Sequence, residues 1–148
     1  MKIFCYGAGT TLEDIGWQVY LGLVALLAGS AFFSASETAF ATVNTIRLKN
    51  YVDAGDKKAA MALKIAEMYE KTLSSILIGN NLVNIAISSI AAVLFTSWMG
   101  NAGTWVSTVV VTIVVLIFGE ILPKTFAKEH SEKVALGVCG VLLAFIKV

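Results

Sequence analysis

Charge is scarce in this chain of 148 residues: 14% are charged and 57% hydrophobic, whereas a soluble domain carries about a quarter charged residues. That shortage excludes an ordinary water-soluble domain, and a mean hydropathy of +0.81 places the chain in a membrane. Histidine occurs once, at His130, and cysteine twice, at Cys5 and Cys139. The chain therefore offers neither the soft ligand set that Zn²⁺ or Cu requires nor the spacing of a disulfide framework. An excess of one sign is missing too, since the formal net charge is +1. A generally basic nucleic-acid binder is excluded on that ground. At about 20 residues per helical crossing the length allows three or four spans and no large soluble catalytic domain.

The decisive absence is local. Residues 72–119 contain no Asp, Glu, Lys, Arg or His, so this stretch is embedded in lipid or buried in protein. Two glycines, an asparagine and flanking tryptophans over 97–105 suit a tight turn at a membrane–water interface. The segment reads as a helical hairpin over 72–97 and 104–122. Earlier, 15–43 is apolar apart from Gln18 and Glu37 and is long enough to cross with some tilt. The fold class is thus an all-α membrane protein with three transmembrane helices. The continuous apolar runs lack the alternation of a transmembrane barrel. A cleaved secretory signal is not expected, because the leading region has Lys2 alone and then Glu13 and Asp14.

Ten of the eleven Lys and Arg residues lie in the connection between the first two spans or after the third. By the positive-inside rule that side is cytoplasmic and the N-terminus is outside, in a plasma or inner membrane. The connection is amphipathic: Ala59, Ala62, Leu63, Ile65 and Ala66 are interleaved with Lys and Glu. Belt helices on the inner membrane surface are predicted over 44–71 and 127–148. Within the second belt, 134–148 is short for a crossing and reads as interfacial or partly inserted, with a fourth span as the alternative.

Polar residues inside apolar spans cost energy and call for a reason. Ser34, Ser36 and Glu37 lie on the first span, Ser75, Asn80, Asn81 and Asn84 on the second, and Gly119 and Glu120 end the third. At 1.5 Å per residue, Asn80 lies about 14 Å from Lys71, Ser34 about 20 Å from Arg47, and Glu120 about 6 Å from Lys124. One cavity open to the cytoplasm accommodates all three. Asn80 and Asn84 are four apart and share a helical face. Gly79 lets a neighbouring backbone or an ion come close. Pro123 donates no hydrogen bond and so frees the Gly119 carbonyl as a ligand. One carboxylate with amide, hydroxyl and carbonyl oxygens suits a hard cation, Mg²⁺ foremost, or Ca²⁺ or Na⁺. The bland readings differ by residue. Ser30, Ser74, Ser88 and Ser89 are expected to be packing residues or to bond the carbonyl four residues back. Asn81 clamps helices as readily as it binds an ion, Glu37 snorkels or caps, and His130 is solvated.

Three segments together, Phe33-Ser34-Ala35-Ser36-Glu37-Thr38-Ala39, Ile78-Gly79-Asn80-Asn81-Leu82-Val83-Asn84 and Phe118-Gly119-Glu120-Ile121-Leu122-Pro123-Lys124, resemble the signature segments of the CNNM/CorC (CorB, TlyC) family's transmembrane domain. The resemblance covers nearly the whole chain. It implies a homodimeric Mg²⁺ transporter or exporter coupled to Na⁺, with three membrane helices per subunit. It places a dehydrated Mg²⁺ among Ser34, Ser75, Asn80, Asn84, Glu120 and carbonyls near Gly119. Family members continue into cytoplasmic CBS modules that bind nucleotide. None is present here, so the chain is expected to be the membrane part of a longer protein or a member without that regulation.

Two function classes follow. One is a secondary transporter for Mg²⁺; the other is a divalent-ion sensor or membrane scaffold that regulates other transporters. An enzyme is not expected, since there is no H-E-x-x-H run, no Asp within a span and no Ser/His pair placed for nucleophilic work.

Overall fold

The structure is a computed structural model that describes residues 12–147, with side chains from residue 16 onward. The signal-segment question, Lys2, Cys5 and the side chains of Glu13 and Asp14 lie outside the described residues. Every described regular element is a helix: α1 (Leu12–Thr42), α2 (Thr45–Asp53), α3 (Lys57–Glu67), α4 (Tyr69–Met99), α5 (Ala102–Val114), a π-helical turn (Val115–Ile121), α6 (Leu122–Glu129) and α7 (Ser131–Lys147). Three stretches are long and apolar enough to cross a membrane: Gly16–Thr42, Tyr69–Met99 and Ala102–Glu129. Helix is the form such segments must take, because lipid offers the backbone no hydrogen-bond partner and a helix satisfies its own. At 1.5 Å per residue the 31 residues of α4 reach about 46 Å, past the ~30 Å hydrocarbon layer.

The spans lie side by side, α1 against α4 and α4 against α5, with the π-helical turn and α6 returning to α1. Their outward faces carry Leu21, Val24, Leu82, Ile85, Val93, Val109, Ile113 and Phe118, all exposed. A soluble protein cannot carry so continuous an apolar surface. At one end the exposed indoles of Trp17, Trp98 and Trp105 gather, with Tyr20 and Trp98 at 6.2 Å between ring centroids. Such rings suit a headgroup layer.

The hairpin between the second and third spans turns on Gly100, whose φ of +67° is the left-handed conformation that glycine adopts without strain. Gly103 then lets α5 close on α4, because a Cβ there would collide with the Phe95 carbonyl.

The packed core sits at the opposite, basic end. Ala39, Phe40, Leu48, Ala62, Ile65, Ile76, Ala127, Ala135, Cys139 and Leu142 form one buried cluster there. The connection expected over 44–71 folds as two helices, α2 and α3, and α4 already begins at Tyr69. Asn44 starts α2 by accepting from the N–H groups of Ile46 and Arg47 (2.9 and 3.2 Å). Asp56 starts α3 in the same way with Lys58 and Ala59 (2.9 and 3.3 Å). Gly55, with φ of +92°, makes the corner between them.

Residues 134–147 belong to α7, which packs along α3 and α1. The Cys139 thiol meets the carbonyls of Leu136 (3.0 Å) and Lys58 (3.7 Å). Near the other end of α7, Phe145 reaches Phe33 of α1 at 5.3 Å between centroids. At 17 residues α7 is shorter than the three stretches named above, and it sits beside the lysine-bearing α3. Ion pairing adds Arg47 to Glu132 at 3.1 Å across the belt surface.

Candidate cation site

Three helices converge on Ser30. Its hydroxyl faces two amide oxygens of α4, Asn84 Oδ1 at 2.9 Å and Asn80 Oδ1 at 3.2 Å. A hydroxyl has one proton, so it donates to one of these at a time, unless one amide turns its NH₂ inward. From the other side comes the π-helical turn. A Cβ on Gly119 would lie 2.9 Å from Ser30 Oγ, so the missing side chain is what lets the third span reach α1 here. Ser30 is fully buried and Asn80 is 9% exposed.

One turn toward the basic end, on the same face of α1, Ser34 is also fully buried, and its Oγ has no hydrogen-bond partner. Its neighbours behave otherwise. Ser36 donates to the Phe32 carbonyl at 2.7 Å, and Ser74, Ser75, Ser88 and Ser89 each donate to the carbonyl four residues back. A buried hydroxyl without a partner costs about 1–3 kcal/mol. Ser34 Oγ is thus the buried side-chain oxygen here with unused hydrogen-bonding capacity.

The backbone adds more oxygen. The last π-helical bond runs from the Leu122 N–H to the Ile117 carbonyl, and α6 begins at Leu122. The carbonyls of Phe118, Gly119 and Glu120 then share a single intervening amide hydrogen, that of Lys124, because Pro123 has none. Single π-helical turns of this kind concentrate at functional sites.

Of the residues expected from sequence, Asn80, Asn84 and Gly119 are brought together around Ser30, with Ser34 one turn away. Glu120 follows Gly119, half-buried, with no described residue paired to its carboxylate. Ser75 makes no hydrogen bond to this group; its hydroxyl donates to the Lys71 carbonyl at 3.2 Å. Side chains, not a neighbouring backbone, approach Gly79 most closely. The rings of Phe33 and Phe145 fill the space above it, 2.6 and 3.1 Å from where a Cβ would stand.

Sequence reasoning assigned Ser30 to packing, yet it sits at the hub. The clue was its place four residues before Ser34. The π-helical turn was missed, and so was the pairing of Glu37 with Lys124, Oε2 to Nζ at 3.7 Å. Among the described residues no three His, Cys, Asp or Glu side chains gather into a metal-type group. A cation held here would be held by neutral oxygens and at most a few carboxylates.

Beyond Ser30 toward the tryptophan end the buried side chains are apolar apart from Ser107. A cavity of about 250 Å³ is lined by Leu23, Leu27, Ile87, Phe95, Val111 and Val114, among others. The polar cluster thus lies between a mostly apolar half at the tryptophan end and the basic end.

This architecture defines a multi-pass α-helical membrane domain with a buried oxygen cluster between its spans. The chain belongs to the CNNM family: residues 21–148 match its cyclin M transmembrane N-terminal domain. It is 41% identical over 130 residues to a UPF0053 protein of Haemophilus influenzae, covering 88% of this chain and 31% of that protein. It is 42% identical over 106 residues to the UPF0053 inner membrane protein YfjD of Escherichia coli, covering 72% of this chain and 25% of the relative. A Haemophilus influenzae protein named "Polyamine export protein" is 27% identical over 139 residues, 85% of this chain and 32% of its own. The chain spans about a quarter to a third of the length of these relatives.

Proposed function

We propose that this domain transports a hard cation, Mg²⁺ foremost, out of the cytoplasm in exchange for Na⁺, as a homodimer in a plasma or inner membrane. The basic end is cytoplasmic in this reading, because ten of eleven Lys and Arg residues fall there. The observation that carries it is the buried Ser34 hydroxyl without a partner, beside amide oxygens that converge on one point. Acceptor atoms gathered without enough donors attract a cation, and oxygen ligands alone select a hard one.

Each residue has a part. Ser34, Asn80 and Asn84 replace waters of the ion, carbonyls of the π-helical turn complete the shell, and the Glu120 carboxylate supplies the charge that makes dehydration tolerable. Ser75 donates its proton to the Lys71 carbonyl and so keeps its oxygen lone pairs available as a more distant ligand. The apolar side chains toward the tryptophan end oppose a hydrated ion on that side. Release outward requires the third span to move away from α1 at the Ser30–Gly119 contact, an alternating exposure of one fixed site.

The test is Mg²⁺ flux into or out of proteoliposomes, with and without a Na⁺ gradient. Asn80→Ala and Glu120→Gln are each expected to lower flux at least about ten-fold, the size of effect that loss of one charged or buried ligand produces. Intact flux in both variants overturns the site. Tight Mg²⁺ binding without flux makes the domain a sensor or scaffold instead. A second reading, polyamine export, is favoured by the name of one relative, and spermidine in the same vesicles decides it.

A further inference from the structure

The Glu37–Lys124 pair lies on the line that leads into the oxygen cluster. On α1, Ser30, Ser34 and Glu37 are spaced four and three apart and so form one stripe. On the third span, Gly119 meets Ser30 and Lys124 meets Glu37. Both helices run in the same direction, so the two contacts are successive rungs. Glu37 stands seven residues from Ser30, about 10 Å along the helix. Between the rungs is the unpartnered Ser34. The lower rung is partly open, with the Glu37 side chain 27% and that of Lys124 42% exposed. Its 3.7 Å separation is well beyond the ~2.8 Å of a tight charge-assisted hydrogen bond.

We infer that Glu37 is an outer cation-binding position at the basic-end mouth of the cluster, and that the Lys124 ammonium occupies it as a built-in surrogate cation which the incoming ion displaces. The inference rests on the transport reading above. Lysine suits the part, being a compact charge on a flexible stem that swings aside easily. A divalent ion outcompetes it because it carries twice the charge. Once displaced, Lys124 stays close and repels the ion, which lowers the cost of passing it on to Ser34. Without Lys124 the carboxylate would hold the ion at the mouth. The surface pair of Arg47 and Glu132 has no such place: it joins α2 to α7 on the belt, away from the stripe.

A pair that merely fastens α1 to α6 makes a different prediction, so opposite shifts decide the matter. Mg²⁺ flux from the basic side is measured in proteoliposomes against Mg²⁺ concentration. Glu37→Gln is expected to raise the half-saturating concentration about ten-fold and Lys124→Met to lower it about ten-fold, as removal of one nearby charge does in a partly shielded site. In Glu37→Gln/Lys124→Met the Lys124 effect should vanish, because it acts through Glu37. Shifts in the same direction, no shift, or an additive double variant each overturn the inference. Thermal melts of all three in detergent establish that they fold. Should Glu37→Gln not fold, Glu37→Asp and Lys124→Arg replace the pair, with half-saturation expected to rise in the first and to stay at the wild-type value in the second. Equal values in the two overturn the inference. Absence of Mg²⁺ binding and flux in the wild type removes the transport reading itself and the inference with it. Wild-type flux with the wrong pattern removes only the inference.

Discussion

Replacing Gly119 by alanine tests whether the third span and α1 are held apart by so little that one methyl group disturbs the oxygen cluster. The new Cβ would stand 2.9 Å from Ser30 Oγ, but 3.5 Å from Ser30 Cβ and Val115 Cγ1, so the hydroxyl alone is in the way. Two responses are open. Ser30 can rotate, which breaks its bond to Asn84 or Asn80 and leaves buried amide oxygens bare, at about 1–3 kcal/mol. Alternatively, the third span retreats by a few tenths of an ångström, and overpacking of this kind costs about 1–3 kcal/mol as well. Either way the melting temperature should fall by roughly 4–8 °C for a loss near 2 kcal/mol. Cation binding should weaken with it.

Ser30→Ala sharpens the test. With the hydroxyl gone, the remaining 3.5 Å contacts are ordinary, so Gly119→Ala should cost almost nothing further. The coupling in the double-mutant cycle should therefore be about 1–2 kcal/mol, far above the few tenths expected of independent sites. Thermal unfolding followed by tryptophan fluorescence in detergent measures all four corners of the cycle. Additive losses would refute the idea that this glycine exists to admit the Ser30 hydroxyl.

Gly79→Ala should destabilise by about 1–3 kcal/mol, because its Cβ would press on the tips of Phe33 and Phe145; Phe33→Leu in the same chain should recover much of the loss in a melt. Burial pushes the Cys139 thiol above its ordinary value of 9.0, so a maleimide at pH 8 should label it far more slowly in the folded protein than in denatured chains. The same shift has a definite sign. The folded state keeps a proton that the unfolded state releases, so this contribution is full below pH 9 and declines as pH rises past it, and Cys139→Ala should lessen the alkaline loss of stability.

Much of the architecture was legible because membrane physics leaves few choices. A charge-free stretch of 48 residues must be helical and must turn once, and the turn could only fall at the glycines near 100. The polar residues were legible as a set for the same reason: each is costly in lipid. Which oxygen each would meet was not. A serine in a helix chooses between its own backbone and a neighbouring helix according to what faces it, and nothing local distinguishes Ser30 from Ser75. Packing decides: Ser30 finds two amides across the α1–α4 contact, whereas Ser75 finds only the Lys71 carbonyl. The π-helical turn was hidden likewise. Gly119 and Pro123 announce an irregularity, but a kink and a widened turn satisfy that pattern equally. Glu37 could not be paired in advance, since its partner depends on how far along α1 the third span is set, and the Ser30–Gly119 contact sets it.

Neutral oxygens at the centre, with carboxylates set off to the side, are what a passing ion needs. A cage of several carboxylates would bind a divalent cation tightly, but an ion that is moved must also leave, and conduction fails when a site is too deep. Amide and hydroxyl oxygens lower the cost of shedding water without adding a full charge to be overcome at release. Asn80 and Asn84 share one hydroxyl proton between them, so in the proposed transport reading their oxygens are partly satisfied and an ion would gain only the difference. Ser34 has no such compensation, so under the same proposal its free energy would change most on binding. Its removal, by Ser34→Ala, should therefore stabilise the ion-free fold while weakening the ion, a separation that no purely structural serine would show.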